Sequence, residues 1–263
     1  MVVVYGNFSQ TAKLLASLIN RHYPCVASHY GHGRAALQAE LGHRTDTVIN
    51  WGVKLPHDNR AAEWVNRRAG IDKREQCSIM HNAGIRIPRT MHVHGNFAGM
   101  VVRKHIQSHG GQGVSVLPNL AEAGGHEKYI YQEYIEKRAE FRVHVFFGDA
   151  ICVTRKYRDE TLAVAGERDD RIWNLSNGYS QNTVTRIGEL MDESLAYLAS
   201  SAVAALHYQF GAVDIAMGMD GALYVLEVNS APSLIESRAE VWVQHIVRRF
   251  DETSRISADN PAS

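Results

Sequence analysis

Cysteine is scarce. Cys25, Cys77 and Cys152 are the three in the chain, and none forms a CxxC pair. An odd, dispersed set excludes a disulfide scaffold and suits a reducing compartment. Charge of one sign is also missing: 28 basic residues balance 28 acidic ones. Net charge therefore draws the chain neither to nucleic acid nor to an anionic membrane. No apolar run reaches the length of a membrane span. The Val2-Val3-Val4-Tyr5 run lacks the charged region of a signal peptide. Internal repeats and low-complexity segments are absent. The 14 histidines are scattered, without zinc-ligand spacing. What remains is an ordinary 263-residue chain, 45% hydrophobic, long enough for one large domain or two modest ones. A soluble cytoplasmic protein is expected, with no nucleic-acid or membrane partner.

The pattern opens as a small α/β layer. Residues 2–5 read as a buried strand. A turn follows at Gly6-Asn7-Phe8-Ser9, where Ser9 or Asn7 can cap a helix bearing Ala12, Leu15, Ala16 and Ile19 on one face. Thr47 to Trp51 reads as a second strand. A helix after Asp72-Lys73 carries Cys77, Met80 and Ala83; Gly84 ends it and Pro88 bars its resumption. From about residue 90 strands dominate, and Tyr129–Gln132, Glu140–Val145 and Ile151–Val153 alternate as in an antiparallel sheet. Residues 158–171, with eight charged side chains, read as an exposed mobile loop. An amphipathic helix spans 189–208 through Leu190, Leu195, Leu198, Val203 and Leu206, and a last helix spans about 236–250. The tail from Ser254 reads as frayed.

The segment from Ala212 to Asn229 carries the most chemistry. Asp220-Gly221 between two apolar runs signals a hairpin. A two-residue turn there would set Asp214 directly opposite Glu227, with Asn229 on the face of Glu227. Like charges facing each other destabilise a sheet. A half-buried carboxylate pair must share a proton or bind a cation, and oxygen-only donors suit Mg2+ or Mn2+. The bland reading is a surface hairpin whose acids face water. The flanking Val213, Ile215 and Tyr224-Val225-Leu226 favour burial and hence the metal.

Upstream, Ser108, Gly110, Gly111 and Gly113 form a Gly-rich loop between strands, with Arg103 and Lys104 nearby. Such a loop lets backbone N–H groups approach phosphates. It is not a Walker loop, since no Gly-Lys-Ser/Thr follows. Gln132-Glu133-Tyr134-Ile135 could offer backbone groups to an adenine edge, and Glu140 could accept from ribose hydroxyls. The competing reading is an ordinary strand end with a solvated glutamate.

In this order the motifs resemble the ATP-grasp superfamily, nearest to the ribosomal-protein glutamate ligases with their glutathione-synthetase and D-alanine–D-alanine ligase relatives. The resemblance covers about residues 70–236. It is carried by Asp72-Lys73 with Ala83 to Thr90, by Val101-Val102-Arg103 with Ser108 to Val114, by Gln132 to Ile135, by Glu140 to Val143, and by Asp214 with Glu227-Val228-Asn229-Ser230-Ala231-Pro232. It implies an α+β ATP-grasp domain over 71–253, with a lid subdomain at about 90–135. A short α/β domain (1–70) would precede it and a flexible tail (254–263) would follow. It implies that Lys73 reaches the nucleotide phosphates and that Glu133 to Ile135 hold adenine through backbone, next to Gln132. Glu140 would hold the ribose. Asp214, Glu227 and Asn229 would ligate Mg2+, with Mn2+ as the alternative. Arg103 stands where the family has a second phosphate lysine; Lys104 could substitute, although alternation turns it to the opposite face. Arg155 looks like the arginine near the transferred phosphate, with Arg142 and Asn174 as further catalytic candidates. Implied is an ATP-dependent carboxylate–amine ligase acting through an acyl phosphate. Its substrates would be a carboxylate and an amine from an amino acid, a peptide or a protein end, and a homo-oligomer is allowed. The rivals are an ATP-grasp kinase acting on a small molecule and an ATP-binding module without turnover.

Overall fold

The computed structural model describes residues 2–6, 9–29, 47–54, 63–106, 113–123, 127–162, 164, 169–184 and 193–259. The chain divides into two compact units. One comprises Met1–Gly70, His207–Gly211 and Asn229–Ser263; the other comprises Ile71–Leu206 and Ala212–Val228. The C-terminal segment thus groups with the N-terminal layer, not with the 71–253 block suggested by the sequence.

In the first unit a parallel sheet is built from β1 (Val2–Gly6), β2 (Cys25–His29), β3 (Thr47–Trp51) and β4 (Glu63–Val65), in the order β2-β1-β3-β4. Parallel neighbours need a crossover, and α1 (Gln10–Ile19) supplies the first. Ser9 caps α1 by accepting from the Ala12 N–H through Oγ at 3.2 Å; Asn7, the other cap candidate, lies outside the described residues. The helix buries Ala12, Leu15, Ala16 and Ile19, the face read from spacing. An aromatic cluster forms this unit's core. Trp51 stacks on Phe210 (ring centroids 5.1 Å apart, 27° between planes), and Trp242 meets both edge-on at 5.3 Å. Trp242 belongs to the last helix, Glu236–Asp259, which runs past the expected fraying point at Ser254.

The second unit opens on α2 (Lys73–Asn82). Asp72 caps it by accepting the N–H groups of Arg74 and Glu75 at 2.9 Å. Gly84, at φ +73°, closes it as Ile85 N–H reaches Met80 O. After the short α3 (Met91–His94) comes a three-stranded sheet of β5 (Val101–His105), β6 (Val114–Leu117) and β7 (Tyr129–Glu133), in the order β6-β5-β7. Its small core is Phe97, Val101 and Tyr131. A five-stranded sheet follows, ordered β10-β9-β8-β11-β12, from β8 (Lys137–Phe146), β9 (Asp149–Arg158), β10 (Tyr179–Val184), β11 (Phe210–Gly218) and β12 (Leu223–Asn229). A tight Phe147-Gly148 turn, both φ positive, joins β8 to β9. A β-bulge interrupts that pair at His144/Val145. Helix α4 (Glu193–Ala205) packs on β8 and β9 through Leu195, Ala199, Ala202 and Val203. The helix covers less than the 189–208 read from the sequence, and Leu190 lies outside the described residues.

Asn66 anchors the first unit. It is fully buried at φ +61°. Its Oδ1 accepts the N–H groups of Gln209 (2.7 Å) and Phe210 (3.0 Å), and its Nδ2 donates to Phe210 O at 2.8 Å. Asn66→Ala would remove these hydrogen bonds and place alanine in a left-handed conformation. The expected loss is about 3 kcal/mol, read as a lower denaturant midpoint in equilibrium unfolding.

Candidate functional site

The site is built on one face of the five-stranded sheet. Asp214 sits in the middle of β11, a strand buried along almost its whole length. Arg142 on β8 meets it as a two-pronged fork: Nε donates to Oδ1 at 2.6 Å and Nη2 to Oδ2 at 2.7 Å. Burial alone would raise the Asp214 carboxyl. The charge and hydrogen bonds of Arg142, helped by Lys156 and Lys104, outweigh it and hold the group at about 2. Burial pulls the other way on Arg142, but Asp214 and Glu227 raise its pKa and keep it charged.

Two residues before Arg142 on β8, Glu140 is 3% exposed. Lys137 Nζ donates to its Oε2 at 2.5 Å, and Lys156 Nζ donates to its Oε1. Burial favours the neutral acid here, yet Lys156 and Lys137 together lower its pKa. The same two lysines hold Trp173. Lys156 Nζ also donates to its carbonyl at 2.9 Å, and the Lys137 ammonium lies 4.9 Å from the centre of its ring. Trp173 in turn stacks on Tyr179, at 5.1 Å and 9°. The ribose role expected of Glu140 thus has to compete with two ion pairs.

Lys156, absent from the sequence-derived set, takes the place expected of Arg155. Arg155 is exposed and pairs across the sheet with Phe141. It therefore lies on the face opposite Glu140 and Arg142. A similar exchange occurs in the smaller sheet. Arg103 turns outward, its guanidinium 5.0 Å from the Tyr129 ring centre and its Nε donating to Ser115 Oγ at 3.1 Å. Lys104 takes the inner face instead. Burial lowers its pKa, while Glu227, Cys77 and Glu140 oppose that shift. So the side chain expected to point away is the one directed to the acids. The Cys77 thiol is pushed up to about 11 by burial, against the pull of Lys104, and stays protonated at neutral pH.

Lys73, at the first turn of α2, reaches Glu227 with Nζ to Oε2 at 3.8 Å. The hairpin carrying Glu227 is closed differently from expectation. Gly218 N–H donates to Ala222 O at 2.8 Å and Gly221 N–H to Gly218 O at 3.0 Å, with Gly221 at φ +84°. That is a three-residue loop with a glycine bulge, not a two-residue Asp-Gly turn, so simple counting does not set Asp214 opposite Glu227. Along β12 the buried residues are Val225 and Val228, which breaks strict alternation. The two carboxylates still act on common cations, Arg142 and Lys104. Asn229 ends β12.

The remaining expectations divide. The Glu133 and Tyr134 N–H groups in the hinge donate to Arg89 O (2.7 Å) and Met100 O (2.9 Å). Asn174 is not turned to the acids. Its Oδ1 accepts the Asn177 N–H at 3.0 Å and caps the turn at Leu175–Asn177. Gly113 takes φ +69° just before β6, whereas Ser108, Gly110 and Gly111 lie outside the described residues. So do parts of the 158–171 loop, residues 163 and 165–168. Among the described residues no group of three or more His, Cys, Asp or Glu side chains could hold a metal. The candidate donors of this unit, Asp214 and Glu227, offer only oxygen, as Mg2+ requires, and Asp214 is held ionised.

The depressed Asp214 pKa carries a pH signature. Its contribution to stability is complete above the unfolded-state value of about 4 and is lost as pH falls toward 2. It amounts to ~2 kcal/mol. Asp214→Asn should flatten the acid limb of the stability profile in that window, which urea titrations at a series of pH values would measure.

A family model described as an ATP-grasp domain matches residues 80–241. No curated protein matches this chain by sequence. Among solved structures, D-alanine–D-alanine ligase from Bacillus anthracis is similar over 98% of this chain and 99% of its own, at 14% identity and TM-score 0.62. The ATP-grasp ligase PsnB, complexed with minimal precursor, Mg and ADP, is similar over 94% and 98%, at 14% identity and TM-score 0.61. The D-cycloserine synthetase DcsG is similar over 94% and 99%, also at 14% and 0.61. At that identity the likenesses establish the fold. Among the described residues no helix is long and apolar enough to cross a membrane. Because the family match spans more than half of the sequence, the chain belongs to the ATP-grasp superfamily.

Proposed function

We propose that this chain is an ATP-dependent carboxylate–amine ligase. The observation that carries the reading is the convergence of Lys73, Lys104 and Arg142 on Asp214 and Glu227 within a family-matched ATP-grasp domain. The resemblance to the ribosomal-protein glutamate ligase branch belongs to the same reading.

Lys73 and Lys104 bind the triphosphate. Asp214, Glu227 and Asn229 hold Mg2+, which when bound neutralises phosphate charge and orients the nucleotide. Two hinge N–H groups already serve protein carbonyls, so the base contacts fall to the backbone of Ile135 and the hinge carbonyls. Arg142 fixes Asp214 and keeps it ionised, and so preserves the ligand set. Phosphoryl transfer asks mainly for positioning and charge neutralisation. In the first step a substrate carboxylate oxygen attacks the γ-phosphorus and ADP leaves. In the second an amine attacks the acyl carbon, phosphate leaves, and the amine gives up a proton. Lys104 and Arg142 face the region where negative charge gathers during the first step. The mixed anhydride is sensitive to water, so the Trp173 segment, tied down by Lys137 and Lys156, is suited to shielding it. The carboxylate and the amine come from an amino acid, a peptide or a protein end; the similar PsnB structure holds a minimal precursor.

Lys104→Met should lower ATP turnover by about a hundredfold or more, while Arg103→Met stays within about fivefold of wild type, since Arg103 stacks on the outer face. Asp214→Asn and Glu227→Gln should abolish turnover while circular dichroism stays native. The assay is ADP and phosphate release with a panel of acids and amines, with products identified by mass. Formation of a stable phosphorylated product without free phosphate would identify a kinase instead. Tight ATP binding with no turnover across the panel would identify a binding module.

A further inference from the structure

Glu227 lies on β12, the last strand in the order of the five-stranded sheet. The outer edge of such a strand presents backbone N–H and C=O groups that no further strand of its sheet, among the described residues, can take. Groups from outside the sheet take them here. Val225 N–H donates to Arg86 O at 2.9 Å. The buried side chain of Gln76, on α2, takes both backbone groups of Val228: Nε2 donates to Val228 O at 3.1 Å, and Oε1 accepts the Val228 N–H at 3.1 Å. In a regular strand the N–H groups of residues three apart point to opposite edges. Both of these are instead taken by partners outside the sheet, so β12 is irregular between them, in the stretch that carries Glu227. An irregularity of this kind re-aims a side chain.

Local chemistry fixes which way the Gln76 carboxamide points. Val228 offers it one donor and one acceptor, and the flipped amide would set N–H against N–H and oxygen against oxygen. Nε2 also donates to Ile71 O at 3.1 Å, just ahead of the Asp72 cap. One amide therefore ties β12 to the start of α2. Lys73 lies three residues before Gln76, a neighbouring position on the helix surface, and reaches Glu227 at 3.8 Å. A single helix thus holds two consecutive residues of β12, Glu227 by charge and Val228 by backbone. The ion pair is long and both its side chains are partly exposed, so it is worth little. Buried peptide groups left without partners are costly. Of the two contacts, the amide clamp sets where the strand lies. It also grips the peptide unit that joins Glu227 to Val228, since the Val228 N–H belongs to that unit.

We propose that Gln76 is a positioning residue for the ligase reaction: by holding both backbone groups of Val228 it fixes the place at which β12 presents the Glu227 carboxylate to a divalent ion and to Lys73. The inference rests on the ligase reading above, in which Glu227 is an oxygen donor. Gln76 does not itself bind the ion or the nucleotide. It acts through the peptide units on either side of Val228, and a metal site depends on such supporting contacts as well as on its donors.

The test uses Mn2+ with ADP as the probe, its binding to the full chain followed by electron paramagnetic resonance. Gln76→Met keeps length and volume but removes all three hydrogen bonds. It should weaken Mn2+ binding about tenfold or more, and raise the half-activating Mg2+ concentration for ATP turnover by a like factor. Met80→Ala opens a cavity on the buried face of the same helix; it should lower the urea midpoint yet leave both metal readouts within about twofold of wild type. That comparison separates positioning from plain loss of stability. Should Gln76→Met fail to fold, Gln76→Asn, one methylene too short to reach both groups of Val228, should show the same loss. Amide hydrogen exchange on wild type without nucleotide should find the Val228 N–H protected like that of Val225. A Val228 N–H that exchanges as fast as an open strand edge, or a folded Gln76 variant that binds Mn2+ as wild type does, would overturn the inference and leave the ligase reading standing. If wild type binds no Mn2+ with ADP, the ligase reading itself falls, and the inference falls with it.

Discussion

The fork between Arg142 and Asp214 is the contact on which the rest of the site depends. A carboxylate in the middle of a buried strand must be protonated, paired or removed. Arg142 on the neighbouring strand pairs both oxygens and keeps the charge. A carboxylate has about four lone-pair directions and the fork uses two of them. Asp214 is thereby solvated by protein with acceptor capacity to spare. Such a pair is weak evidence for stability, since apolar residues of the same volume would often serve as well. Its better explanation is that it keeps a charged carboxylate at a fixed position in the sheet.

The choice of the β9 cation that faces Glu140 depends on an irregularity between β8 and β9. The β8–β9 hairpin pairs Phe146 with Asp149 and Val145 with Ala150, and then the bulge shifts the register so that His144 meets Cys152 and Phe141 meets Arg155. Without the extra residue, the pairing would continue in step and bring Arg155 opposite Glu140. With it, Lys156 arrives there and completes the pair of lysines on Glu140. A one-residue slip exchanges the two faces of a strand, so the bulge decides which cation enters the site and which meets solvent.

This explains what the sequence could and could not disclose. The strand at 2–5, the helix after Asp72 and the hairpin around Asp220-Gly221 were legible, because periodicity and turn residues are local. The placement of Arg155 and of Arg103 on the faces away from the acids has one cause. Each involves two adjacent cations on a strand, and the inward one is set by register against a partner distant in sequence. For β5 that partner is the Val101–Tyr131 core, which claims one face and leaves the other to Lys104. At Asn174 the reason is different: asparagine caps turns as readily as it binds ligands, and its Oδ1 accepts from Asn177. The hairpin loop closed over three residues because the Gly218–Gly221 turn sets glycine at the bulge, a choice that Asp-Gly alone does not decide. The C-terminal helix could not be assigned to a unit from its own pattern, since an apolar stripe does not name what it packs on.

The charged groups of the site fall into a fixed set and a loose set. Arg142 and Lys156 raise their pKa values through short contacts with buried acids, and together with Lys137 they are committed to Asp214 and Glu140. Lys73 meets Glu227 only at 3.8 Å, with both side chains partly exposed, and such pairs are worth little. Lys104 is drawn toward neutrality by its surroundings. A polyanion arriving at this face would improve the solvation of Lys73 and Lys104 at small cost, whereas pulling away the fixed cations would uncover buried carboxylates. Binding should therefore recruit the loose cations and leave the fixed ones in place. The same division keeps Asp214 and Glu140 ionised.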